Sequence, residues 1–148
     1  MASPLRHLRA RALKAFFAFH RELYERSDGR VGANWGLPML LLSTKGRKSG
    51  QWRTTPLVYF EDGRSYVVVG SDGGARRDPQ WWKNLQVHPI ARLRVGRHVF
   101  EARARLAEGE ERERLWVMGQ RINPMWERYQ RVTARPLPVV LFERIEGA

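Results

Sequence analysis

Residues 38–70, PMLLLSTKGRKSGQWRTTPLVYFEDGRSYVVVG, contain three apolar runs separated by two turn-forming stretches. The first run, residues 38–44, is short and largely apolar, which predicts a strand buried on both faces. The other two runs, residues 54–61 and 64–70, flank Asp62-Gly63, a pair that favours a tight β-hairpin. This stretch therefore predicts consecutive antiparallel strands.

A second hairpin follows further along the chain. Residues 90–95 and 98–106 flank Gly96-Arg97, and apolar and charged residues alternate in the second of these segments. That alternation indicates one face in the core and one in water. The remaining predicted elements are three helices and a closing strand, at residues 79–87, 108–121, 124–132 and 138–145. Two hairpins and further strands, with helices outside them, predict an α+β fold on a closed or half-closed antiparallel barrel.

Length and composition limit the function classes. A chain of 148 residues with 43% hydrophobic residues is predicted to form one domain, residues 1–148, around a single core. The absence of cysteine excludes disulfides, thiolate metal sites and a cysteine nucleophile. The four histidines lack metal-ligand spacing, so no metal site is expected. The glycines at 46 and 50 match neither a Walker A loop nor a Rossmann turn.

The N-terminal segment, residues 3–26, is predicted to form a basic amphipathic helix that precedes a barrel core at residues 38–148. It is too charged for a signal peptide or a membrane span, which predicts a cytoplasmic protein. Its apolar face could pack on the barrel, or it could lie on the anionic inner face of the cell membrane. Both alternatives stay open, and the net charge of +12 favours polyanionic partners.

Residues 43–56, STKGRKSGQWRTTP, form a strongly basic stretch that contains a predicted turn. Its cationic residues are Lys45, Arg47, Lys48 and Arg53. One interpretation is a solvated turn. The other is an anion-binding concavity, in which backbone N–H groups of a glycine-flanked turn act together with cationic and hydroxyl side chains.

Residues 70–85, GSDGGARRDPQWWKNL, place small residues directly after a valine-rich strand. A flat ring could therefore approach the backbone closely. A short helix with Trp81, Trp82 and Asn84 follows. At least one of the two tryptophans is expected to be a core residue, and the other could flank a bound ring.

Together the two stretches resemble the deazaflavin-dependent nitroreductases, also called coenzyme F420-dependent quinone reductases, of actinobacteria. The residues that carry the resemblance are TKGRKSGQWRTTPL at 44–57, GSDGG at 70–74, PQWWKNL at 79–85 and the closing PVV at 138–140. The resemblance covers nearly the whole chain from about residue 38 onward.

The resemblance implies a split β-barrel like that of the flavin-binding pyridoxamine-phosphate oxidases. It also implies coenzyme F420, an 8-hydroxy-5-deazaflavin with a phosphodiester and an oligoglutamate tail, and weaker binding of FMN. By resemblance, the coenzyme-binding residues are Arg47, Lys48, Ser49 and Arg53 at the phosphate, and Thr55, Pro56, Gly70, Ser71, Trp81 and Asn84 around the ring.

The implied activity is hydride transfer from the reduced coenzyme to a small flat acceptor, such as a quinone or a nitroaromatic compound. Candidate proton donors to the reduced acceptor are Tyr129, Ser71 and Tyr59. The acceptor site is expected to be walled by Asn123, Trp126 and Tyr129, although Trp126 could equally be a core residue. Two alternatives stay open: a non-catalytic lipid- or cofactor-binding carrier on the same barrel, and a basic nucleic-acid-binding module. Because the chain carries no recognised nucleic-acid motif, no nucleic-acid partner is expected.

Overall fold

The computed structural model describes residues 37–146. The strands are β1 (Met39–Lys45), β2 (Trp52–Val58), β3 (Phe60–Asp62), β4 (Ser65–Val69), β5 (Ile90–Val95), β6 (His98–Leu106) and β7 (Val139–Arg144). The helices are α1 (Gln80–Val87), α2 (Gly109–Ile122) and α3 (Met125–Arg131), and a short 3₁₀ turn covers Asp72–Gly74. The predicted helix at residues 3–26 lies outside the described residues, so its packing and its membrane contact stay predictions.

The seven strands form one antiparallel sheet in the order β2-β1-β5-β6-β7-β4-β3. Strands β2 and β3 are the two edges of this sheet, yet only Tyr59 separates them along the chain. Neighbouring residues cannot lie far apart, so the two edges must meet at Tyr59. The sheet is therefore curled into a barrel, as the sequence predicted.

One predicted strand is divided. The single strand expected at residues 54–61 is two strands, because β2 pairs with β1 while β3 pairs with β4. Before the break, the N–H of Tyr59 donates to the carbonyl of Pro38 at 3.1 Å, which completes the β1–β2 ladder. After it, the chain joins the opposite edge of the sheet. The other predicted elements between residues 38 and 145 are confirmed, with ends shifted by a residue or two.

The curled sheet has an inner core and an outer core. The inner core collects side chains from one face of five strands and from α1, namely Leu40, Leu42, Val68, Trp81, Trp82, Leu85, Ala91, Leu93, Phe100, Ala102, Val140 and Phe142. The outer core lies between β3, β4, β7 and the helices α2 and α3, and contains Phe60, Val67, Val69, Ala107, Leu115, Trp126, Leu137, Val139 and Leu141. Both faces of β4 and β7 are therefore buried.

Helix α1 places its side chains inside the barrel. Trp81, Trp82 and Leu85 are all buried in the inner core. In the chain, α1 lies between β4 and β5. Its buried side chains therefore connect the loops on either side of the helix to the interior of the barrel. No helix between residues 37 and 146 has the length and apolar character needed to cross a membrane.

Candidate functional site

The basic turn, residues 45–53, connects β1 to β2. Its backbone closes on itself, because the N–H of Gly50 donates to the carbonyl of Gly46 at 2.8 Å and the N–H of Gly46 donates to the carbonyl of Gln51 at 2.8 Å. Gly50 has a φ of +70°, a conformation that favours glycine. The turn is therefore a closed loop of defined shape rather than an extended connection.

Asn84 of α1 anchors this turn. Its Oδ1 accepts from the backbone N–H of Arg47 at 3.2 Å and from the Arg47 guanidinium at 2.9 Å. Its Nδ2 donates to the hydroxyl of Thr44 at 3.3 Å. Asn84 and Thr44 are both buried, so these bonds are protected from water. By resemblance, Asn84 was expected to border a bound ring. In the structure, its side-chain amide is hydrogen-bonded to Arg47 in the turn and to Thr44 at the end of β1.

Among residues 37–146, the cations of the turn have no carboxylate partner. Lys45, Lys48 and Arg53 are exposed, and none of the ion pairs found within residues 37–146 involves them or Arg47. The Arg53 guanidinium donates to the amide oxygen of Gln51 at 3.4 Å. Such a concentration of unpaired positive charge on a rigid turn fits an anionic ligand.

The predicted coenzyme-binding residues on β2 lie on two different faces of the sheet, as the register of β1 and β2 shows. Arg53 and Thr55 lie opposite Thr44 and Leu42, on the face that lines the inner core. Pro56 lies opposite Leu41, on the other face of the sheet, and it is buried there. Thr55 can therefore share a ligand with Arg53, while ring contact by Pro56 stays a prediction.

The glycine loop, residues 70–78, leaves β4 beside the lead-in to β7. The N–H of Gly70 donates to the carbonyl of Pro138 at 2.8 Å. A Cβ added at Gly70 would lie 2.6 Å from Cγ of Pro138 and 3.4 Å from Cγ of Pro79. Only a residue without a side chain fits this approach.

The glycine loop becomes more exposed after Gly70. Ser71 is half-buried and Asp72 is exposed, with a φ of 43°. Partial burial of the Asp72 carboxyl raises its pKa above the ordinary value, and the positive charge of Arg135 opposes that rise. The loop is therefore closely packed at Gly70 and open at Asp72.

Helix α1 joins the two loops into one site. Pro79, the N-cap residue directly before α1, packs beside Gly70, and Asn84 holds the basic turn five residues later. At a rise of about 1.5 Å per residue, the two contacts lie about 8 Å apart along the helix. The sequence expected one of the two tryptophans of α1 to be a core residue, and both Trp81 and Trp82 are 7% exposed in the inner core. A ring contact by Trp81 stays a prediction.

The predicted acceptor-site residues occupy different environments. Trp126 is 4% exposed in the outer core, with its ring centroid 6.1 Å from that of Phe60, which corresponds to the core-packing alternative. The side-chain carbonyl of Asn123 accepts from the N–H of Met125, the first residue of α3, at 3.2 Å. Acceptor contact by either residue stays a prediction.

Tyr129 lies on α3 beside the glycine loop. A Cβ added at Gly74 would lie 3.0 Å from the carbonyl oxygen of Tyr129, so α3 and the 3₁₀ turn are in direct contact. Tyr59 lies at the opposite end of β2 from the basic turn, roughly 20 Å away by strand rise, and its ring is tilted by 52° against that of Tyr66, with centroids 5.9 Å apart. The structure therefore brings Tyr129 beside the glycine loop that contains Ser71, and places Tyr59 away from the basic turn.

Two open cavities lie elsewhere, at the ends of β4 and β7 that point away from the glycine loop. Their volumes are about 660 and 500 Å³, and they share Arg144 and Glu146. Neither is lined by a predicted site residue. Their charged lining is balanced, with Arg64, Arg92 and Arg144 against Glu101, Glu143 and Glu146. They therefore have no charge preference for an anion, in contrast to the basic turn.

Arg135 contacts the glycine loop from the segment before β7 and was not predicted from the sequence. One arginine among many in a segment without regular structure has no distinguishing pattern. Only the packing of residues about 60 positions apart reveals its role.

Comparison with known proteins identifies the family of this chain. Residues 17–144 match the family described as F420H(2)-dependent quinone reductase. The chain is 36% identical over 130 residues to an F420H(2)-dependent quinone reductase of Mycobacterium tuberculosis strain H37Rv, which covers 84% of this chain and 87% of that protein. It is also 36% identical to a solved F420-H2 dependent reductase, FDR-A, with a TM-score of 0.66 over 72% of this chain and 94% of that one.

A more distant structure supports the fold alone. A putative pyridoxamine 5'-phosphate oxidase from Listeria innocua is 12% identical, with a TM-score of 0.52 over 74% of this chain and 85% of that one. The predicted split β-barrel is therefore confirmed. On the family match and the relatives above 30% identity, the chain belongs to the F420H(2)-dependent quinone reductase family.

Proposed function

We propose that this protein is a reductase that uses reduced coenzyme F420 to transfer hydride to a quinone-type acceptor. The observation that carries the proposal is the basic turn, whose cations have no carboxylate partner within the described residues and which Asn84 holds beside the glycine loop. In a member of this family, a rigid cationic turn next to a close-packed glycine suits a ligand with an anionic tail and a flat ring.

The residues present fit this coenzyme. Lys48, Ser49 and Arg53 would hold the phosphodiester, with Arg47 kept in place by Asn84. The Ser49 hydroxyl oxygen already accepts from the N–H of Gln51 at 3.2 Å, which leaves its O–H free to donate to a phosphate oxygen. Residues proposed to border the ring are Thr55, Pro56, Gly70, Ser71, Trp81 and Asn84.

The protein is proposed to position the coenzyme ring and to supply a proton to the reduced acceptor. When bound, the reduced deazaflavin supplies a hydride. The close-packed glycine loop allows a flat ring to approach the backbone, and the buried tryptophans of α1 form a rigid, water-excluding base beneath the site. The Tyr129 and Ser71 hydroxyls are proposed to supply the proton that the reduced acceptor takes up, because both lie on the segments that meet at the glycine loop.

The coenzyme assignment is tested by binding. We expect deazaflavin binding with micromolar or tighter affinity and clearly weaker FMN binding, since FMN lacks the glutamate tail. Added salt should weaken binding, because exposed charge pairs are screened beyond about 10 Å at 0.1 M ionic strength. Calorimetric titration with each coenzyme at two salt concentrations measures both effects. Tight FMN binding without deazaflavin binding would refute the assignment.

The same preparation separates the enzyme from a carrier. Quinone-dependent oxidation of the reduced coenzyme, followed near 420 nm, is expected to proceed over many turnovers. A protein that binds the coenzyme and supports no turnover with any quinone or nitroaromatic acceptor would be the carrier.

The anion-binding role of the basic turn predicts a specific loss. Lys48→Ala and Arg53→Ala should each weaken coenzyme binding by about 1.5 kcal/mol, the lower end for a hydrogen bond to a charged group, because both side chains are exposed. The fold should be unaffected for the same reason. Arg64→Ala is the matched control, since Arg64 is an exposed arginine outside this site. Equal coenzyme affinities for the three variants would show that the basic turn is not part of the coenzyme site.

The proton-donor role of Tyr129 predicts a change in rate rather than in binding. Tyr129→Phe keeps the ring, which is half-buried against the outer core, and removes only the hydroxyl. We expect turnover to fall by at least about 100-fold, the lower end of the range for loss of a general acid, at nearly unchanged coenzyme affinity. Steady-state kinetics and a binding titration measure the two quantities. A parallel fall in both would indicate a binding or folding role.

A further inference from the structure

Arg135 holds the glycine loop through four hydrogen bonds. Its Nε donates to the carbonyl of Ala75 at 2.7 Å, and one terminal nitrogen donates to the carbonyl of Ser71 at 2.8 Å. The other terminal nitrogen donates to the carbonyl of Gly70 at 3.1 Å and to the carboxylate of Asp78 at 3.0 Å. One guanidinium therefore contacts the start, the middle and the end of the loop.

The arginine itself is held in place. Its side chain is only 12% exposed, and it forms its ion pair with Asp78 in this sheltered position. The side-chain amide of Gln130 donates to the carbonyl of Arg135 at 2.8 Å and accepts from the N–H of Leu137 at 2.8 Å. Gln130 thus fixes the backbone directly after Arg135. The guanidinium is a rigid support and has little freedom to swing away.

This support determines which way the loop peptides point. A planar trans peptide directs its C=O and its N–H in opposite directions. Because the carbonyls of Ser71 and Ala75 point to Arg135, the N–H groups of Asp72 and Arg76 point away from it. Neither N–H has a hydrogen-bond partner within residues 37–146. The loop therefore offers outward N–H donors on the side opposite the guanidinium.

We infer that Arg135 is a positioning residue of the coenzyme site, which holds the glycine loop so that its N–H groups face the bound ring. The inference rests on the proposed function for the identity of the ligand. The ring of a deazaflavin carries carbonyl oxygens, which accept hydrogen bonds from such donors. Without the guanidinium, the carbonyls of Gly70, Ser71 and Ala75 lose their shared donor. The Ser71 carbonyl keeps the N–H of Gly74 at 2.8 Å and the Ala75 carbonyl keeps the Thr133 hydroxyl at 3.4 Å, so the turn persists while its peptides are held less firmly.

The test compares Arg135→Lys with Arg112→Lys. Lysine at 135 keeps the positive charge opposite Asp78, and it cannot reach the three carbonyls in the planar arrangement of a guanidinium. Arg112 is the matched control, because it donates to the carbonyl of Leu137 at 2.8 Å from a partly buried position and makes no hydrogen bond to the glycine loop. Two quantities are measured: amide hydrogen exchange of residues 71–78 without ligand, and coenzyme affinity.

For Arg135→Lys we expect faster exchange confined to residues 71–78 and an affinity at least about tenfold lower than that of Arg112→Lys, because bonds from a charged donor are the strong ones. In Arg135→Ala, added guanidinium ions should restore part of the affinity, relative to sodium at equal ionic strength. Unchanged loop exchange with unchanged affinity would overturn the inference. Exchange that rises equally across the whole sheet, with no rescue by guanidinium, would also overturn it, since that is the behaviour of a residue needed only for stability.

The exchange comparison needs no coenzyme. Failure of the wild-type protein to bind coenzyme F420 would therefore refute the proposed function, while the loop exchange would still show whether Arg135 orders residues 71–78.

Discussion

Replacement of Gly70 by alanine should lower the free energy of unfolding by about 3 kcal/mol, the upper range for overpacking a buried position. The added Cβ would lie 2.6 Å from Cγ of Pro138, well inside the contact distance of two carbon atoms. Both Gly70 and Pro138 are buried, and a proline ring cannot rotate away. The strand exit must therefore shift. We expect coenzyme affinity to fall with it, because the glycine loop begins at this residue.

Chemical denaturation measures the loss of stability, and Gly63→Ala serves as the control. A Cβ at Gly63 meets no atom within 4 Å, although its φ of +60° disfavours alanine. That variant carries only the cost of a left-handed conformation, about 1 to 2 kcal/mol. If Gly70→Ala is no less stable than wild type, the close approach to Pro138 is not a constraint on the fold.

Asn84→Ala is the second variant with a large expected effect. It removes the acceptor for two N–H groups of Arg47 and the donor to the buried Thr44 hydroxyl. Leaving such groups unpaired costs about 1 to 3 kcal/mol each, so we expect a loss of about 3 kcal/mol in stability. The basic turn should also lose its fixed position relative to α1, with at least about tenfold weaker coenzyme binding.

Asn123→Ala is the matched control for this variant, because Asn123 is also a buried asparagine and its side-chain carbonyl accepts from the N–H of Met125. It should cost about 1 kcal/mol, the typical net contribution of one hydrogen bond. Denaturation and coenzyme titration of both variants test the difference. If the two variants bind coenzyme equally well, Asn84 does not position the turn.

Local sequence patterns were sufficient for most of the fold. The alternation in residues 98–106 and the turn pairs at Asp62-Gly63 and Gly96-Arg97 predicted strands and hairpins that the structure confirms. The divided strand at residues 52–62 was not predictable in this way. Periodicity reports which residues are apolar, and it carries no information about which edge of the sheet each half joins.

The features of the candidate site also fall into two groups: those that single residues predict and those that depend on long-range contacts. The positive charge of the basic turn and the missing side chain at Gly70 follow from the sequence alone, because they are properties of single residues. Their roles in binding an anion and a ring stay predictions. The folded chain was needed to show that Asn84 holds the turn, that Trp126 is a core residue, that Tyr59 lies at the far end of β2, and that Arg135 supports the glycine loop. Each of these depends on contacts between segments distant in sequence, and the direction in which a side chain meets its partner is set only when the curled sheet brings those segments together.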